Sequence, residues 1–190
     1  MSLLQENFNE LVTRIRHGRD LEPTGFEPVY YLVFSPHEIL DVKHLMPAWS
    51  AKLRNEGWDI HQFSISEAII DIFQQAPLRK IWLAADRKSP LAWGKTNQSL
   101  SNALETGALQ QRLQARLEEL DGKPNAMLLV TDLEGLHPYM RIGAIESQLS
   151  GKFHIPTVFF YPGKRSGKSR LSFLGFYPDD GNYRSVHVGG

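Results

Sequence analysis

Cysteine is absent from the 190 residues, which removes disulfide frameworks, thiolate metal sites and cysteine nucleophiles at once. An excess of charge is missing too. Lys and Arg total 21 and Asp and Glu total 21, so no global field draws the protein to nucleic acid or membrane. No apolar run approaches the roughly 20 residues needed to cross a bilayer. The N-terminus, Met1-Ser-Leu-Leu-Gln-Glu-Asn7, lacks the basic start and apolar core of a signal peptide. No serine sits in a G-x-S-x-G elbow, and the scattered histidines assemble no triad. The expectation is a soluble, cytoplasmic, single domain over residues 1–190, with no catalytic constellation, metal site or cofactor. A chain of this length buries roughly 70% of its extended surface.

The apolar residues that are present alternate between two periods. Leu4, Phe8, Leu11, Val12 and Ile15 have helical spacing, and Gly18 is placed to end that helix. Val29–Phe34 is apolar on both faces, as a central strand covered on both sides requires. Ser35-Pro-His-Glu38 then reads as a capping box with proline at the first helical position. Ile39, Val42, Met46, Trp49 and Leu53 form the stripe of the helix that follows, which Pro47 should kink or split. Residues 58–65 make a less apolar strand nearer an edge. A helix starts at Ser66 and runs on past Pro77 through Ile81–Ala84; residues 87–97 read as a surface loop. Leu100 and Leu104 share one face and Leu109, Leu113, Leu117 and Leu120 another, so a break falls at Thr106-Gly107.

Ala126–Val130 is the strongest strand, Tyr139–Leu149 a helix, and Thr157–Tyr161 the next strand. This alternation implies an α/β, three-layer fold with a mainly parallel sheet flanked by helices. Segments 157–161, 171–177 and 183–188 leave no room for helices between them. They read as an antiparallel C-terminal strand meander.

Four groups of residues could carry chemistry. Tyr161-Pro-Gly-Lys-Arg-Ser-Gly-Lys-Ser169 imitates a phosphate loop, but three residues rather than four separate Gly163 from Gly167. An aromatic strand, not a helix, follows it, so it reads as a basic hairpin connection. Its Lys164, Arg165, Lys168 and Arg170 could touch phosphate or nucleic acid, although no ladder of aromatics accompanies them and direct nucleic-acid binding is disfavoured. His37, Asp41 and His44 share one helical face, but that face lies opposite the buried stripe and reads as solvated. Asp132 and Glu134 lie just past the C-terminal end of a central strand, where α/β sheets bind ligands; Asp132 could instead cap the next helix.

The run Leu128-Leu-Val-Thr-Asp-Leu-Glu-Gly135, then His137-Pro-Tyr-Met-Arg141, then Ile155-Pro-Thr-Val-Phe-Phe-Tyr-Pro-Gly163 resembles the BrxB family, also called DUF1788. Leu171-Ser-Phe-Leu-Gly175 and Asn182-Tyr-Arg-Ser185 complete the pattern, which covers roughly residues 126–190. The resemblance implies a non-enzymatic adaptor in a BREX bacteriophage-exclusion system. PglZ, a phosphatase-like protein, is then the direct partner, with the ATPase BrxC and other BREX subunits as companions. Pro138, Arg141, Tyr161, Pro162, Gly163, Gly175, Tyr183 and Arg184 fall on motif positions. Arg141, Arg184 and Tyr183 are the partner-binding candidates, since a planar guanidinium suits a bidentate carboxylate contact. Either arginine could equally pair with Asp132 or Glu134. The rival reading is a degenerate nucleotide-binding protein that uses Asp132, Glu134 and the basic loop.

Overall fold

The computed structural model describes residues 2–20, 27–167, 170–181 and 185–190. Five strands, β1 Val29–Phe34, β2 Asp59–Ser64, β3 Ala126–Thr131, β4 Thr157–Ser166 and β7 Val186–Gly189, form a parallel sheet in the order β2-β3-β4-β1-β7. Two short strands, β5 Arg170–Phe173 and β6 Asp180–Gly181, continue it in antiparallel fashion from the far half of β4.

Alternation along the strands sorts side chains into two cores. In β1, Val29, Tyr31 and Val33 face one core, whereas Tyr30, Leu32 and Phe34 face the other. One core is roofed by helices α1 (Leu3–Asp20) and α2 (Ile39–Asn55). The other is roofed by α3 (Ile65–Gln75), α5 (Gly94–Glu105), α6 (Ala108–Leu120) and α7 (Ile142–Gln148). The three-layer α/β arrangement is therefore as the sequence predicts.

The capping box forms as read: Ser35 receives the His37 N–H and Glu38 reaches back to the Ser35 N–H, opening a 3-10 turn that leads into α2. α2 runs unbroken through Pro47. Pro47 and Lys43, whose carbonyl loses its donor, are both exposed, so water can satisfy the freed group. The α5–α6 break falls at Thr106-Gly107 as expected.

Several boundaries differ. α1 passes Gly18 and ends at Asp20. Ser64, rather than Ser66, caps α3 through the Glu67 N–H. α3 stops before Pro77, because Ala76 takes the extended conformation that a following proline favours; α4 (Arg79–Lys88) is a separate helix. The loop expected over 87–97 shrinks to the stretch between α4 and α5. α7 begins at Ile142, after an extended Arg141, and not at Tyr139.

The C-terminal third shows the largest difference. β4, β5 and β6 are antiparallel neighbours, but β7 leaves them and pairs parallel with β1 (Tyr30 beside Val186, Val33 beside Gly189). β5 ends at Phe173, and residues 174–177 form a turn in which Leu174 and Gly175 both have positive φ, 53° and 74°. Gly175 serves that conformation rather than a bulge or close approach, since a Cβ there would meet nothing nearer than 3.7 Å.

Candidate functional site

Thr131 ends β3 at the sheet edge where open α/β folds bind ligands, and the chain turns sharply at Asp132, with φ 58° and ψ 39°. Asp132 caps nothing with its side chain. One of its oxygens accepts from the Ser64 hydroxyl at 2.7 Å and the Thr131 hydroxyl at 3.0 Å. The other meets Lys43 Nζ at 2.8 Å, and the same ammonium lies 2.8 Å from Glu134 Oε1. Burial alone would raise the Asp132 pKa; the hydrogen bonds from Lys43 and Ser64 outweigh it and hold the carboxyl below its ordinary range. Lys43 in turn is pushed upward by hydrogen bonds to both carboxylates. Sequence reasoning missed Lys43. It flanks the buried stripe of α2, lining one hollow with Ile39, Val42 and Met46, and only the fold brings it over the end of β3.

The hollow beside these groups measures about 150 Å³ and is walled by Phe34, Val42, Met46 and Phe160 among others. That is well below the several hundred cubic ångströms of an ordinary small-molecule site. His37, Asp41 and His44 are all exposed, and no group of three or more metal-ligating side chains occurs among the described residues.

The imitation phosphate loop is a hairpin. Pro162 is the last β4 residue paired with β1, and from Gly163 onward the strand pairs with β5 instead. A Cβ on Gly163 would lie 2.3 Å from the Ser172 carbonyl and 2.6 Å from the Tyr161 ring. Its lack of a side chain therefore lets the two strands meet. Lys164, Arg165 and Arg170 are exposed along this hairpin, and Arg165 Nη1 donates to the His187 carbonyl at 3.2 Å. Lys168 lies outside the described residues, as do Tyr183 and Arg184.

Arg141 does not join Asp132 or Glu134, whose cation is Lys43. Its guanidinium lies over the Tyr177 ring at 4.4 Å. Tyr177 stacks on Phe173 and Phe176, and its hydroxyl is 2.6 Å from His137 Nδ1. The segments 137–141 and 171–177, separate in sequence, thus meet around one aromatic cluster. Beside it opens a groove of about 870 Å³, lined by Arg141, Glu105, Gln110, Glu146 and Asp180 among others. Glu146 accepts a short hydrogen bond from the buried Tyr31 hydroxyl. Its pKa is raised by burial, and the charges of Glu27 and Asp180 add to the rise.

These motif segments lie within a longer match: residues 61–188 fit the model of the family described as BREX protein BrxB. The chain belongs to the BrxB family. The match reaches back to His61, well into the half where no motif was legible. Neither the curated proteins nor the solved structures contain a match. BrxB membership makes the chain a subunit of a BREX phage-defence system and so part of a multi-subunit assembly. Among the described residues of this BrxB-family chain, no helix is long and apolar enough to cross a membrane.

Proposed function

We propose that the chain is a cytoplasmic, non-enzymatic adaptor, a single BrxB-type domain over residues 1–190, that binds the phosphatase-like protein PglZ within a BREX assembly. The observation that carries this reading is Lys43 bridging Asp132 and Glu134. The two carboxylates at the sheet's ligand edge already share one internal cation, and a hollow of about 150 Å³ is well below the size of an ordinary nucleotide site. What the surface offers instead is the Arg141 groove, where a guanidinium supported by Tyr177 stands among acidic and amide groups. Arg141, together with Tyr183 and Arg184, is the proposed contact set for PglZ; BrxC and other subunits are further companions.

Purified chain and the PglZ protein of the same system, mixed at micromolar concentration, are expected to elute as one complex, and Arg141→Ala is expected to weaken it at least tenfold. Separate elution of the two proteins would overturn the reading. Titration with ATP and magnesium is expected to give no binding heat. Heat that Lys168→Ala abolishes would restore the nucleotide rival.

A further inference from the structure

Five of the nine large hydrophobic side chains exposed among the described residues fall between residues 78 and 93. They are Leu78, Ile81, Leu83, Leu91 and Trp93; Leu91 is 94% exposed and Ile81 63%. This stretch spans α4 and the connection to α5, within the helical excursion that leads from β2 to β3. It is held in place, not loose. Trp82 is buried, donates to the Ser99 hydroxyl at 2.8 Å and meets the Phe73 ring edge-on. The Asp86 carboxylate accepts from Thr96 at 3.0 Å, which ties α4 to the start of α5.

Charge is as concentrated here as apolar surface. Arg79, Lys80, Arg87, Lys88 and Lys95 are all exposed, and none has an ion-pair partner among the described residues. Asp86, already engaged, is the sole acid between residues 78 and 95. In a chain whose acids and bases balance overall, this is a local excess of exposed positive charge interleaved with exposed apolar residues. Exposed apolar clusters rimmed by polar groups mark interaction surfaces, and charge of a single sign selects a partner of opposite sign.

We infer that the α4 face, residues 78–95, is a docking surface for a protein partner that presents leucine-like side chains surrounded by Asp and Glu. This extends the adaptor reading, which needs a second docking surface beside the Arg141 groove. A membrane fits the geometry less well. An interfacial helix sinks one continuous apolar stripe into lipid, whereas the exposed Ile81 and Leu83 of α4 stand on opposite flanks of the buried Trp82. Nucleic acid would use the cations but leave Ile81, Leu83 and Leu91 without a role.

The test uses the full chain and two variants: Ile81→Ser/Leu91→Ser/Trp93→Ser, and Arg87→Glu/Lys88→Glu. All five positions are exposed, and circular dichroism melting checks that both variants keep the parental fold. The probe is a fluorescent synthetic helix of Glu and Leu, with a Gln-for-Glu version as control. The parent is expected to bind the acidic peptide at least tenfold more tightly than either variant does, and more tightly than it binds the control. Absence of binding, or affinities within twofold across the three proteins, would overturn the inference. So would capture of phosphatidylglycerol vesicles or duplex DNA that both variants lose while the peptide goes unbound. Failure of the PglZ mixing experiment removes the adaptor reading without touching this result, because the peptide measurement needs no PglZ.

Discussion

Lys43 is the residue on which the sheet's ligand edge depends. Without its ammonium, Asp132 and Glu134 would face one another with nothing between them, which is costly where they are partly shielded from water. The lysine itself is about half exposed (49%), so solvent screening keeps the contribution small. Lys43→Ala is expected to cost about 1 kcal/mol at neutral pH, a fall of roughly 2–4 °C in Tm for a chain of this size. Adding Glu134→Gln should recover part of it. Because the Asp132 pKa is depressed in the fold, the stabilisation exists above the ordinary carboxylate range and fades on acidification. The Tm gap between parent and Lys43→Ala should therefore narrow as pH falls through that range. An unchanged or raised Tm at pH 7 would show that the bridge contributes nothing.

Among the elements, β4 makes the least expected turn. Its first half is a buried parallel strand and its second half one arm of an antiparallel hairpin, with the exchange at Pro162-Gly163. Gly163→Ala would drive a methyl into the Ser172 carbonyl, a backbone atom held in the strand pairing rather than the end of a flexible side chain. A loss of about 3 kcal/mol or more is expected, measurable as a shifted urea midpoint; a loss under about 0.5 kcal/mol, the scale of neutral surface changes, would refute the close approach. Local chemistry made many elements legible. The Ser35–Glu38 capping box, the apolar β1 and β3, and the face change at Thr106-Gly107 each carry their own signal. What was illegible depended on distant neighbours. Nothing within Val186-His-Val-Gly189 says that it pairs parallel with β1 rather than antiparallel with the preceding strand. Lys43 likewise has no local mark of its two partners. The Arg141–Tyr177 contact joins segments whose motif spacing was visible but whose meeting was not.

At the scale of the whole molecule, β7 closes one edge of the sheet, and its His187 is buried beside Tyr31 and Arg165. Burial first, and the Arg165 charge second, pull the imidazole down from 6.5 to about 4. The unfolded chain takes up that proton near pH 6.5 while the folded one resists until about 4. Stability from this group is thus complete above 6.5 and is lost as pH falls toward 4. Glu146, whose pKa burial raises, works in the opposite sense. Urea midpoints between pH 7.5 and 5 are expected to decline for the parent and to decline less for His187→Gln. Parallel declines would assign the acid sensitivity elsewhere.

The position of β1 has a consequence for how the chain reaches its fold. Residues 29–34 find their two strand partners only at 157–162 and 186–189. Loop closures of that length are slow, because chain entropy is lost long before contacts repay it. Until those residues join it, Val29–Phe34 has no strand neighbour on either flank. Its ladder groups stay unpaired until then, and an apolar strand left open for that long is the segment of the fold most exposed to mispairing.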